Sequence, residues 1–199
     1  MLDVAVPDDI DLLRPLIALG AREGSWDPAL ATPGPAVDAL LSKIGYALKH
    51  GALPQFDPRT GKWLITRIAG WVYRPDPSTL PVGFGLFKEF QGDGFELWLC
   101  AVDSSRRGRG LGRAMLTELM ATSAGRRAQL ARCALLTDGG QRCARVLKSL
   151  DFVSCRKTSR EEWLLHRRTP AALAQRIATM DMSAYEPAAG RAPPQARSG

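Results

Sequence analysis

Apolar positions recur at helical spacing twice near the start of the chain. Ile10, Leu13, Leu16 and Ile17 share one face behind Pro7-Asp8-Asp9, a turn that offers a helix N-cap. Pro15 must lie early in that helix or kink it. Val37, Leu40, Leu41, Ile44 and Leu48 form a second stripe, and Gly51 supplies its stop. A short apolar segment, residues 4–6, precedes the first helix, and a loop rich in Pro and Gly, residues 24–35, separates the two.

From Trp63 the pattern turns to strands. Residues 63–68, 82–90 and 95–102 are rich in β-branched and aromatic side chains. The turns Arg74-Pro-Asp-Pro and Gln91-Gly-Asp-Gly between them predict an antiparallel meander. A helix beginning near Gly110 buries Leu111, Ala114, Met115 and Leu119. An apolar strand (130–136), a helix (141–150) and two short strands, near Phe152 and over 163–165, follow. This order predicts the α/β class, an α+β mixed sheet with helices on both faces. Trp26, Trp63, Trp71, Trp98 and Trp163 are expected in the core or in cleft walls, with Trp26, between the first two helices, placed to line a pocket. Arg126, Arg127 and Arg132 are expected on a solvated face.

Composition narrows the class. With 199 residues and 45% hydrophobic content, the chain can bury one sizeable core. That domain is expected over residues 1–168. The segment 169–199 is expected to hold one more helix (171–180) and a disordered tail rich in Ala, Pro, Gly and Arg (187–199). The net charge of +7 favours an anionic partner: nucleic acid, an acidic protein or a phosphate-rich cofactor. No apolar run approaches the roughly 20 residues of a membrane span, and the N-terminus lacks a secretion signal. A cytoplasmic protein is therefore expected. Cys100, Cys133, Cys143 and Cys155 form no C-x-x-C pair and there are two histidines, so no metal site is expected and the thiols read as reduced and mostly buried.

One stretch carries chemistry, Glu96-Leu-Trp-Leu-Cys-Ala-Val-Asp-Ser-Ser-Arg-Arg-Gly-Arg-Gly-Leu-Gly112. A strand runs into a turn of Arg and Gly that opens directly into an amphipathic helix. Glycines 108, 110 and 112 let backbone N–H groups approach an anion without an intervening Cβ. The helix N-terminus adds unpaired donors and partial positive charge, and Arg106, Arg107 and Arg109 add full charges. The run is neither a P-loop, since Arg113-Ala114 follows Gly112, nor a dinucleotide fingerprint, since the register from Gly108 puts Arg113 at the last glycine position.

Arg107-Gly108-Arg109-Gly110-Leu111-Gly112 resembles the R/Q-x-x-G-x-G/A signature of the GNAT acetyltransferase superfamily. Ala101-Val102-Asp103 ahead of it, Pro7-Asp8-Asp9-Ile10 at the first strand–helix junction, and residues 143–152 fit the same pattern, so the resemblance spans about residues 1–168. It implies the GNAT fold, a mostly antiparallel sheet splayed at the cofactor site, and acetyl-CoA as cosubstrate. By the same resemblance Leu99, Cys100, Ala101 and Val102 should pair with the pantetheine arm. Arg107, Gly108, Arg109, Gly110, Leu111, Gly112 and Arg113 should hold the pyrophosphate. The segment 96–102 also resembles the E-[IV]-x-F-C-A-[IV] strand of the histone acetyltransferase branch, which makes Glu96 the general base. The chemistry is sound: an amine with a reference pKa near 10.4 must lose a proton before it attacks a thioester. A strand N–H at Cys100 or Ala101 would stabilise the oxyanion.

The chain departs from the family on the later helix. The register that places Phe152 at the family's Gly-Phe turn puts Leu147 where a thiolate-protonating Tyr often stands, and Asp151 replaces the Gly. The expected function is acetyl transfer to a primary amine of a small molecule or protein, without a metal. The alternative is a non-catalytic GNAT-like module binding CoA or nucleic acid. A homodimer through the late strands and residues 171–180 is compatible with the sequence.

Overall fold

The computed structural model describes residues 1–57, 61–90 and 94–179. The turn at 91–93 and the tail at 187–199 lie outside the described residues. Two compact units divide the chain, Met1–Thr169 and Pro170–Gly199. The second contains helix α6 (Ala171–Thr179), close to the range its sequence predicts.

In the first unit the order is β1 (Leu2–Val4), α1 (Ile10–Arg22), α2 (Pro35–His50), β2 (Ala52–Asp57), β3 (Lys62–Tyr73), β4 (Gly83–Phe90) and β5 (Gly94–Val102). Then come α3 (Leu111–Ala121), the one-turn α4 (Ser123–Arg126), β6 (Ala128–Ala134), α5 (Asp138–Lys148), β7 (Phe152–Lys157) and β8 (Glu161–His166). The sheet runs β1-β3-β4-β5-β6-β8-β7, with β2 paired to the first half of β3. All pairings are antiparallel except β5–β6. The fold class is thus the expected one, a mixed sheet between helices.

Local chemistry explains the helix limits. Gly51 ends α2 in the left-handed region at φ 70°, where a Cβ would be strained, and its N–H bonds the Ala47 carbonyl. Pro15 lies in the second turn of α1, which continues through it with one backbone donor fewer. The first strand falls at residues 2–4 rather than 4–6, because its apolar side chains alternate and its partner is the end of β3. β2 is an element the sequence does not mark: Pro54 interrupts its short apolar pattern, and only β3, twelve residues long, gives it an edge to join. Trp63 lies on that pairing and is 68% exposed, which corrects the expectation of a core tryptophan.

Two cores sandwich the sheet. Leu13, Leu16 and Ile17 of α1 with Val37, Leu41 and Ile44 of α2 pack on Phe84, Leu86 and Leu99. On the other face Met115, Leu116 and Leu119 of α3 with Ala144 and Leu147 of α5 pack on Phe87, Phe95 and Leu97. Leu86 pairs with Leu99 and Phe87 with Leu97, so Trp98 is an extra residue in β5. Past this bulge the strand changes faces: Phe95 and Leu97 lie under α3 and α5, Leu99 under α1 and α2. Among the described residues no helix is long and apolar enough to cross a membrane.

Candidate active site

The parallel pairing of β5 with β6 ends at Leu97–Ala131, although β5 runs on to Val102 and β6 to Ala134. The strands part there, and a cavity of about 330 Å³ fills the gap. Trp98, Cys100, Ala101 and Val102 form one wall, Ala131 to Ala134 the other, and α5 lends Cys143 and Leu147. The edge of β5 facing this gap has no strand partner, so its backbone groups are open to a ligand.

One end of the cavity is the arginine-glycine turn. Asp103 Oδ1 accepts the Ser105 N–H at 2.9 Å and shapes its start. Gly108 and Gly110 hold φ of 79° and 77°, a region that disfavours any side chain, and Gly110 begins α3 with no side-chain cap. The first N–H groups of α3 have no acceptor within the helix, and a Cβ built on Gly108, Gly110 or Gly112 meets nothing within 4 Å. Gly108, Gly110, Leu111 and Gly112 line the cavity, so the uncapped start of α3 borders it, which suits an anion. Cavity charge agrees: Arg107, Arg113, Arg132 and Arg142 line it against Glu23. A pyrophosphate-bearing ligand therefore fits the residues present.

Of the expected cofactor residues, Cys100, Ala101, Val102, Arg107, Gly108, Gly110, Leu111, Gly112 and Arg113 line the cavity. Leu99 and Arg109 do not. Leu99 is instead packed beneath the first two helices. Leu147 is wholly buried in the cavity wall, at the position where the resemblance would place a Tyr.

Glu96 is 2% exposed and does not line the cavity. Arg132 Nε donates to its Oε1 at 2.6 Å, and Lys88 Nζ lies 3.9 Å from Oε2. Burial pulls Lys88 below the ordinary lysine range; the Glu96 carboxylate opposes this and Arg132 adds to it. Arg132 also stacks over Trp163 at 5.1 Å, so it is an inward-facing partner of Glu96, not the solvated arginine its sequence suggested. β6 places it there because Ala131 and Cys133, its neighbours, face the opposite core.

Glu23, at the end of α1, was not singled out by sequence. Its carboxylate accepts a short hydrogen bond from Arg107, whose Nε also reaches the Val102 carbonyl at 3.3 Å. Trp26 lines the same cavity beside Ser25, whose Oγ lies 3.1 Å from Thr137 Oγ1. Nothing in the local sequence marks Glu23, because its role depends on where α1 ends relative to a loop 84 residues away. Among the described residues no group of three or more His, Cys, Asp or Glu is arranged to hold a metal ion.

Comparison with known structures finds the same architecture. Ribosomal-protein-alanine N-acetyltransferase from Brucella melitensis superposes with a TM-score of 0.56 at 15% identity, covering 82% of this chain and 97% of that one. A putative acetyltransferase from Salmonella typhimurium, solved with its cofactor acetyl-CoA, gives 0.57 at 14%, over 86% and 96%. A spermidine N-acetyltransferase chimera from Vibrio cholerae gives 0.53 at 13%, over 83% and 96%. At such identities these likenesses speak for the fold. No curated protein sequence matches. The family model for the acetyltransferase (GNAT) family matches residues 46–152, more than half of the chain and the whole of the splayed cleft's β5 and its arginine-glycine turn. By fold, cleft and sequence together, the chain belongs to the GNAT acetyltransferase family.

Proposed function

We propose that this protein transfers the acetyl group of acetyl-CoA to a primary amine of a small molecule or protein. The observation that carries the reading is the parting of β5 and β6 beside the uncapped start of α3. One feature offers an open strand edge to an extended amide-bearing arm, and the other offers backbone donors and arginines to a pyrophosphate. Main-chain N–H groups of residues 108–112, with Arg107 and Arg113, hold the phosphates, and the β5 edge at 99–102 orients the pantetheine. A β5 N–H at Cys100 or Ala101 steadies the carbonyl oxygen as negative charge develops. The amine nitrogen attacks the thioester carbon and the CoA thiolate departs. With Leu147 on α5, the thiolate leaves without a tyrosine hydroxyl from that helix.

Glu96 is the proposed proton acceptor. Its neighbours Leu97 and Trp98 line the cavity, and Arg132 stands between its carboxylate and the cleft, so the proton travels by water or by displacement of that guanidinium. Glu23 supports a second assignment, since its carboxylate does line the cavity and is about one-third exposed.

Thermal stability with and without acetyl-CoA tests the binding step. A ligand at a hundred times its Kd adds about 2.7 kcal/mol, a shift that Arg107→Ala and Gly110→Asp should remove. An amine screen read by CoA release then tests transfer. Glu96→Gln should lower kcat about 100-fold or more with acetyl-CoA binding retained; a loss confined to Glu23→Gln would move the role to Glu23. No shift at millimolar acetyl-CoA would sink the proposal, and binding without turnover of any amine would favour a non-catalytic module.

A further inference from the structure

Three of the four cysteines meet in the cleft wall. Cys100 comes from β5, Cys133 from β6 and Cys143 from α5, and all three line the cavity. The Cys100 and Cys143 sulfurs are 4.0 Å apart, although 43 residues separate them. Cys133 is buried, whereas Cys100 and Cys143 keep partial exposure. Cys155 on β7 lies apart from this group and donates to the Trp163 carbonyl.

Packing alone does not require this arrangement, because alanine or valine would fill the same wall without bringing two sulfurs together. The chemistry of the group is asymmetric. S–H donors at Cys100 and Cys133 hold the Cys143 thiol well below the ordinary range, against burial, while the same bond holds Cys100 above it. With Cys100 4.0 Å away and the cavity beside it, Cys143 serves here as the nucleophile of the set and Cys100 as its partner thiol.

We propose that Cys100 and Cys143 form a reversible oxidation site, a thiol pair that a small peroxide converts to a disulfide in the wall of the cofactor cleft. The Cys143 thiolate attacks one peroxide oxygen. The O–O bond breaks, sulfur gives up two electrons, and hydroxide leaves a sulfenic acid on Cys143. Cys100 then attacks the Cys143 sulfur, its thiol proton passes to the departing oxygen, and water leaves as the S–S bond forms. The sulfurs must close by about 2 Å to reach bonding distance near 2.05 Å, a movement within reach of two unbranched side chains beside open space. A dithiol reverses the reaction by exchange.

The regulatory consequence rests on the cleft being the acetyl-CoA site. A bridge from β5 to α5 would tie together two elements that wall the cleft and would obstruct the pantetheine path. Bound acetyl-CoA, in turn, would cover both sulfurs.

The test treats the full-length protein with hydrogen peroxide and maps the cysteines by peptide mass spectrometry under non-reducing conditions. The expected product has lost two hydrogens and carries a Cys100–Cys143 linkage. Cys100→Ala and Cys143→Ala should each abolish it and dithiothreitol should reverse it. Saturating acetyl-CoA should slow its formation about tenfold or more. Oxygenated sulfur without a crosslink, or a crosslink through Cys133 or Cys155, would overturn the proposal, and this readout on the wild-type chain needs no variant to fold. The acetyl-CoA thermal shift should vanish on oxidation and return on reduction. A crosslinked protein that still shifts fully would overturn the regulatory half. A reduced protein that never shifts would count against the cofactor reading, while the linkage itself stands or falls on the map.

Discussion

Arg132 and Glu96 meet where the pairing of β5 and β6 ends, with Nε 2.6 Å from Oε1. The carboxylate is almost wholly buried and the guanidinium faces the cavity on one side and the Trp163 ring on the other. A buried carboxylate needs such a partner, since removing one member of a buried pair commonly costs roughly 3–5 kcal/mol. Lys88 would remain beside Glu96 in an Arg132→Met variant, so a loss of about 2–3 kcal/mol is expected. For a chain of this length that lowers Tm by roughly 5–10 °C. Combining it with Glu96→Gln should restore at least half of the loss in chemical denaturation.

Glu23 occupies the guanidinium of Arg107, which the proposed function assigns to the pyrophosphate. Under that assignment the phosphate and the Glu23 carboxylate compete for the same charge. Glu23→Gln should therefore tighten acetyl-CoA binding by about 3- to 10-fold, as expected when a competing state is removed. Isothermal titration of the two proteins would decide; equal or weaker binding by the variant would show that Glu23 positions Arg107 for the ligand.

Asp151, between α5 and β7, is the one non-glycine residue among the described residues with positive φ, at 66°. Its carbonyl accepts the Arg167 N–H, so the conformation is fixed from outside. A side chain in this region carries strain that glycine lacks. Asp151→Gly should stabilise the fold by about 0.5–1 kcal/mol, and a fall in the urea midpoint would contradict this.

Glu162 on β8 is 3% exposed and accepts an ion pair from Lys148 of α5 at 2.7 Å. Burial raises its pKa, but bonds from Lys148 and Ser154 and the charges of Lys148 and Lys157 outweigh it, so the carboxyl sits below the usual range. A carboxyl depressed by folding adds stability that is complete above its unfolded pKa near 4.3 and is lost as pH falls through the lower folded value. Lys148→Met should weaken this depression and cost about 1–2 kcal/mol at neutral pH, discounted because Lys148 is half-exposed. Acid unfolding of the variant should begin at higher pH than that of the wild type, followed by circular dichroism.

The helices and the arginine-glycine turn were legible in the sequence because each has a local cause. Apolar spacing sets α1, α2 and α3, and glycine chemistry sets Gly51 and the 108–112 turn. What stayed hidden depends on tertiary placement. Strand β2 exists only because β3 extends beyond the main sheet. Arg132 looks like a surface residue until β6 is known to run parallel to β5 with Ala131 facing the other core. Glu23 and the three-thiol cluster are products of proximity between segments far apart in the chain, and no residue near them in sequence announces it.

Trp98 has a consequence beyond its own contacts. Because it is the extra residue of β5, it acts as a reading-frame change within one strand: odd positions before it belong to one hydrophobic core, and odd positions after it to the other. Deleting Trp98 would not simply shorten β5. It would make Leu97 and Leu99 consecutive opposite Phe87 and Leu86, leave each core with its present members, and remove the irregularity at the point where β5 parts from β6.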